Sequence, residues 1–172
     1  MIGRAFSLLV AALNSVGGVL IFALVVIINV DIASRFLFNA PIDGVTELVE
    51  LSIVAIVFLQ LSDAVRNGRL TRSDGLFAKI RSSSPRVGHV MAILFDLAGA
   101  AFFATLVAGS VPRFVDAWER GYYAGNQGIV VIPVWPVRLV IVIGAVTVIL
   151  VFLSLVAGHV RALASDAEGD NP

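Results

Sequence analysis

Asp96 is the residue of this chain best placed to do chemistry, because it stands within an apolar run, Val87–Val111, where an ionised carboxylate is costly. It must be protonated, paired or wetted there, about six to eight residues, or ~9–12 Å, inside the nearer membrane boundary. Counting by fours from Asp96 gives Ala100, Ala104 and Ala108, a stripe of small residues that lets a second helix approach closely. Asp96 is therefore expected to face protein rather than lipid. Asn14 and Thr147 lie at similar depth in neighbouring runs and are its expected hydrogen-bond partners. A role in carrying an ion or a proton is the competing reading of an intramembrane acid, but no second acid accompanies it at mid-depth.

Other groups invite the same question. Glu47 and Glu50 are one helical turn apart, and paired carboxylates can hold a cation or do acid–base work. The nearby sequence supplies mostly Asp43, Thr46 and Arg35, so an ion pair from Arg35 to Glu47 or Glu50 across the Pro41–Gly44 turn is the simpler expectation. His89 and His159 both fall at ends of apolar runs, which raises a bis-histidine haem, yet no other haem-pocket feature is visible. Arg138 follows Trp135 and Pro136, where the Trp suits an aromatic belt, the Pro a first helical turn and the Arg an outward snorkel. The absence of cysteine removes disulfides, thiolate metal sites and iron–sulfur clusters. Neither GxxxxGK[ST] nor GxGxxG occurs, so no nucleotide site is expected, and the chain is read as a non-enzyme with no metal or cofactor.

The elements that position these groups follow from hydropathy. The sequence is 59% hydrophobic and 14% charged, against about 25% charged in soluble proteins. Four apolar runs, near 8–30, 45–65, 87–111 and 134–158, are each long enough to cross a ~30 Å hydrocarbon core as a helix. The expected fold is an all-α integral membrane protein: one four-helix domain over 1–164, short interfacial helices, and a polar, disordered tail over 165–172. The first run exceeds a signal-peptide core and reads as a retained signal anchor. Eight of the twelve basic residues, Arg4, Arg66, Arg69, Arg72, Lys79, Arg81, Arg86 and Arg161, fall on the side shared by both termini and the middle loop, which predicts cytoplasmic termini. Phe114, Trp118 and Tyr122 recur at i, i+4, i+8, the pattern of an interfacial helix or of the end of the third span leaning on a partner. In the middle loop, Ser73 or Asp74 is expected to cap a short segment whose Leu76, Phe77 and Ile80 face lipid while Lys79 and Arg81 face headgroups.

The segment SRFLFNAPIDGVTELVELSIVAIVFLQLSDAVRNGRLTRSD, Ser34–Asp74, resembles the small membrane subunit, DctQ type, of tripartite ATP-independent periplasmic (TRAP) transporters. Arg35, Phe38, Pro41, Ile42, Glu47, Leu48, Phe58, Leu59, Gly68, Arg72 and Asp74 match the family pattern, as does the later IPVWP of Ile132–Pro136. Thr46, Gly44 and Leu70 depart from it, standing where a Glu, an aromatic residue and a His are usual. The resemblance implies a scaffold or anchoring subunit in the bacterial inner membrane. A large multi-span subunit would carry an organic acid on a sodium gradient, and a periplasmic solute-binding protein would deliver it. Membrane lipids and these two proteins are the expected partners, with no nucleic acid. Arg35, Glu47, Glu50, Arg72, Asp74, Asp96, Trp118, Trp135 and Arg138 are the residues expected to hold the fold or meet a partner. The competing classes are a self-sufficient ion-coupled transporter or channel, using Asp96 or the Glu47–Glu50 pair, and a membrane cytochrome subunit using His89 and His159.

Overall fold

Backbone that crosses hydrocarbon must satisfy its own N–H and C=O groups, which leaves an apolar chain without strand partners one solution, long helices. The computed structural model, which describes residues 3–68, 85–125 and 130–168, has four: α1 Arg4–Phe38, α2 Val45–Arg66, α3 Pro85–Glu119 and α4 Trp135–Glu168. Each is long and apolar enough to span a membrane. Three outrun the predicted spans. At about 1.5 Å per residue, the 35 residues of α1 extend well past a ~30 Å hydrocarbon layer. At the far end of the chain, Ala162 and Ala164 are strong helix formers, and α4 continues to Glu168, past the point where the polar tail was expected to begin.

Turn chemistry closes the helices. The chain leaves α1 at Asn39, which adopts the left-handed conformation (φ 51°) and donates its N–H to the Arg35 carbonyl at 3.1 Å. Gly44 opens α2 at φ 85°, and a Cβ there would come within 2.6 Å of Val130 Cγ1, so the first turn needs glycine for both conformation and space. Phe114 and Trp118 belong to α3 itself, and among the described residues no separate interfacial helix follows it. The helix stops before Gly121 (φ 60°). A short antiparallel ribbon then pairs β1 (Tyr123–Ala124) with β2 (Ile132–Pro133), Tyr123 opposite Pro133 and Ala124 opposite Ile132.

The helices pack in the order α1, α2, α4, α3, with α1 chiefly against α2 and α4 wedged between α2 and α3. Within its apolar window α4 is 33% buried, against 17–22% for the others, which marks it as the central element. Lipid tails are as apolar as leucine, so contact between these helices gains little from the hydrophobic effect and depends on close fit. Two glycines supply it. The Cα of Gly144 lies so near the Phe58 carbonyl oxygen that a Cβ would stand 2.5 Å from it, and Gly99 leaves comparable room for the Phe152 ring. Val10, Val65, Ala100, Val148, Val151 and Phe152 form the buried cluster around these contacts. The alanine stripe of α3 joins it only in part: Ala100 is buried, while Ala104 and Ala108 are exposed.

Candidate functional site

Polar side chains gather at the two ends of the bundle. At the end that holds the α1–α2 turn and the ribbon, the organising group is Asp31, one turn before Arg35 on α1. Its carboxylate is buried and accepts twice: Oδ2 from Arg35 Nε at 2.8 Å and Oδ1 from the Ile42 N–H at 2.8 Å. Ser34 Oγ adds a hydrogen bond to the Ala40 carbonyl at 2.6 Å. The turn from Asn39 to Ile42 is thus pinned to the last turn of α1 by side chains of that same helix. This corrects the bridge expected from Arg35 to Glu47 or Glu50. An i, i+4 partner on its own helix holds the Arg35 guanidinium, and among the described residues neither glutamate forms an ion pair. Glu50 is exposed and Glu47 half-buried.

On the same end, Trp118 of α3 meets Trp135 of α4 edge to face, with centroids 4.7 Å apart and planes at 83°, a preferred aromatic geometry. Phe114 lies one turn before Trp118, ring centroids 6.4 Å apart. Arg138 is more than an outward-snorkelling anchor: its Nη1 donates to the Arg113 carbonyl, and its guanidinium sits 5.7 Å above the Tyr122 ring. Trp118, Trp135 and Arg138 therefore act together as a clasp between α3 and α4. Open grooves flank it, one lined by Trp118, Tyr123, Val131, Pro133 and Trp135, another by Ser110, Arg113, Arg138 and Ile141.

The opposite end holds Asp96. It is fully buried, and His159 Nε2 lies 3.6 Å from its Oδ2, within ion-pair distance and beyond that of a hydrogen bond. The expected partners turn elsewhere. Asn14 Nδ2 donates to Asp63 Oδ2 at 3.4 Å, joining α1 to α2, and Thr147 Oγ1 donates to the Ile143 carbonyl of its own helix at 2.8 Å. Arg66 Nη2 reaches Ser7 Oγ at 3.1 Å, a second tie between α1 and α2. His89 Nδ1 stands 3.4 Å from His159 Nδ1 with ring centroids 5.6 Å apart, contact too close to admit a haem between them. Ser62 Oγ is buried on α2 without a hydrogen-bond partner. Among the described residues no group of three or more His, Cys, Asp or Glu side chains is placed to hold a metal ion.

Two of these contacts have signals in the sequence itself. Asp31 and Arg35 stand at the i, i+4 spacing of a helical ion pair. His89 and Asp96 are seven residues apart, hence on one face of α3, and His159 is at matching depth from the shared end of the bundle. Arg72, Asp74 and the predicted Ser73–Arg81 segment lie outside the described residues.

A family model described as Tripartite ATP-independent periplasmic transporters, DctQ component, matches residues 24–162. Neither a curated protein nor a solved structure matches the chain.

Proposed function

Because the chain belongs to the DctQ-component family, and so is the small membrane subunit of a TRAP transporter, we propose that it is the static anchoring subunit and carries no solute itself. A larger multi-span subunit moves an organic acid on a sodium gradient, a periplasmic binding protein delivers it, and the complex sits in the bacterial inner membrane with this chain's termini in the cytoplasm. The family match carries the reading. The packing supports it, since each described helix runs unbroken through its span, whereas transporters build midplane substrate sites from discontinuous helices. The packed faces of α4 are filled by Val148, Val151 and Phe152, buried with Val10, Val65 and Ala100. Polar groups toward the ends are answered within the chain, Asn14 by Asp63 and Arg66 by Ser7. Positive charge on the side of the middle loop and termini supports the orientation.

Reconstitution tests this directly. Liposomes holding this chain alone are expected to show no uptake. Liposomes holding it with the large subunit, an inward sodium gradient and a loaded binding protein are expected to accumulate the acid. Sodium- or proton-driven uptake by this chain alone would overturn the reading.

A further inference from the structure

Arg138 of the clasp and Arg113, whose carbonyl it holds, both lie on the bilayer side of the paired tryptophans. Arg113 precedes Trp118 by five residues and Arg138 follows Trp135 by three, which sets them ~7.5 Å and ~4.5 Å deeper along their helices. Tryptophan marks the membrane–water interface, and the headgroup layer on each side of the hydrocarbon core is only about 5–8 Å thick. The two arginines therefore stand at the level where lipid phosphates meet acyl chains.

Positive charge at that depth calls for a counter-charge, and the chain supplies none. Arg138 gives its Nη1–H to the Arg113 carbonyl and holds its guanidinium over the Tyr122 ring, neither of which is an anion. Among the described residues neither arginine forms a salt bridge. The acids nearest Arg113 in the sequence are Asp116, which pairs with Arg120 at 3.7 Å, and Glu119, which is exposed at the end of α3. Arg113 itself is exposed and Arg138 half-buried.

Both arginines line one groove of about 160 Å³ together with Ser110 and Ile141. Ser110 and Arg113 are three residues apart on α3, as are Arg138 and Ile141 on α4, so each pair shares a helix face. On both helices the arginine is nearer the interface. Beneath it lies a hydroxyl donor on α3 and an apolar side chain on α4. The groove is smaller than the about 300–1,000 Å³ that encloses an organic ligand, and its donors suit an anion: guanidinium forks match phosphate oxygens, and a hydroxyl adds one more N–H-like contact. Leu106 and Val107, one turn deeper than Ser110, are apolar and half-buried, so an anion held here can trail an apolar part toward the bilayer centre. We propose that Arg113, Arg138 and Ser110 form a binding site for the phosphate of a phospholipid, whose acyl chains descend past Ile141. The bound headgroup would join α3 to α4 beside the tryptophan contact. Free inorganic phosphate offers similar oxygens without the tails, and the test separates the two.

The probe is phosphatidylglycerol carrying a photoreactive diazirine beside its phosphate, added in trace amount to the full chain in detergent. After irradiation and digestion, mass spectrometry should find the lipid on residues 110–113 and 138–141. Unlabelled phosphatidylglycerol should suppress that labelling, whereas diacylglycerol with the same acyl chains, or inorganic phosphate at the same concentration, should not. Arg113→Gln should lower labelling of both segments about fivefold, the worth of one arginine at a membrane surface, and Arg113→Lys should recover part of it. Arg161→Gln, at the opposite end of the bundle, should leave it unchanged. Equal suppression by diacylglycerol would show an apolar contact that ignores phosphate, and equal suppression by inorganic phosphate a site for the free anion. Either result in the wild-type chain overturns the proposal whether or not the variants fold. So does labelling that is unchanged in Arg113→Gln, or that falls as far in Arg161→Gln.

Discussion

Replacing Asp31 by alanine removes both acceptors that pin the α1–α2 turn, and the structure indicates which of the two matters more. The Arg35 side chain is 54% exposed and that of Asp31 is 9% exposed, so the ion pair is screened on one side and is worth about 0.2–1 kcal/mol. The Ile42 N–H is given to a buried carboxylate at 2.8 Å, and a hydrogen bond to a charged group contributes about 1.5–3 kcal/mol. Asp31→Ala should thus cost about 2–4 kcal/mol, most of it from Ile42. Asp31→Asn keeps Oδ1 as an acceptor but removes the charge that strengthens the Ile42 bond, so it should cost about 1–2 kcal/mol, less than Asp31→Ala. Arg35→Gln should cost no more than about 1 kcal/mol, since it removes the screened ion pair and spares the Ile42 contact. Thermal unfolding of the purified variants in detergent separates the cases, at roughly 2–4 °C per kcal/mol for a chain of this size. If Arg35→Gln proves as damaging as Asp31→Ala, the ion pair and not the turn hydrogen bond holds this corner, and the reasoning fails. A charge swap between Arg35 and Glu47 should show no rescue, because the two do not meet.

Gly144→Ala sets a Cβ 2.5 Å from the Phe58 carbonyl oxygen, so α2 and α4 must separate; a loss of about 1–3 kcal/mol is expected, read as a lower melting temperature and a lower yield of folded protein. Trp118→Ala removes the edge-to-face partner of Trp135 and should cost at least about 0.5–1.5 kcal/mol beyond the lost contact area, whereas Trp118→Phe retains part of it.

The four spans are legible because each apolar run has the length that hydrocarbon thickness demands, and composition alone argues against a sizeable soluble domain. Their ends are less so. The uncharged run stops at Val30, and ending the span there hides Asp31, whose charge is tolerated because Arg35 and the Ile42 N–H meet it. That Asp96 faces protein follows from its place in an apolar run, and the structure agrees. Its partner does not follow, since a linear sequence does not say which helix lies beside which. The order α1, α2, α4, α3 sets Asp96 beside α4, and Asn14 of α1 meets α2 instead. Trp118, Trp135 and Arg138 each read as interface residues from their own neighbours in the sequence. Their convergence required knowing that α3 continues to Glu119, which the helix-breaking signal at Gly121 permits but does not locate.

The wedge position of α4 bears on how the protein is made. Synthesis proceeds from the N-terminus, so α1 and α2 emerge first and can pair as a hairpin through Asn14–Asp63 and Arg66–Ser7. α3 emerges next and has little to hold, since its chief neighbour has not yet been translated. α4, which follows α3, joins the early hairpin to the waiting third span, and it alone brings His159 to Asp96, Gly144 to Phe58 and Trp135 to Trp118. Emergence of α4 is therefore the event that turns a helical hairpin and a solitary span into one body, and a quality-control protease that meets the protein before that moment meets it in two pieces.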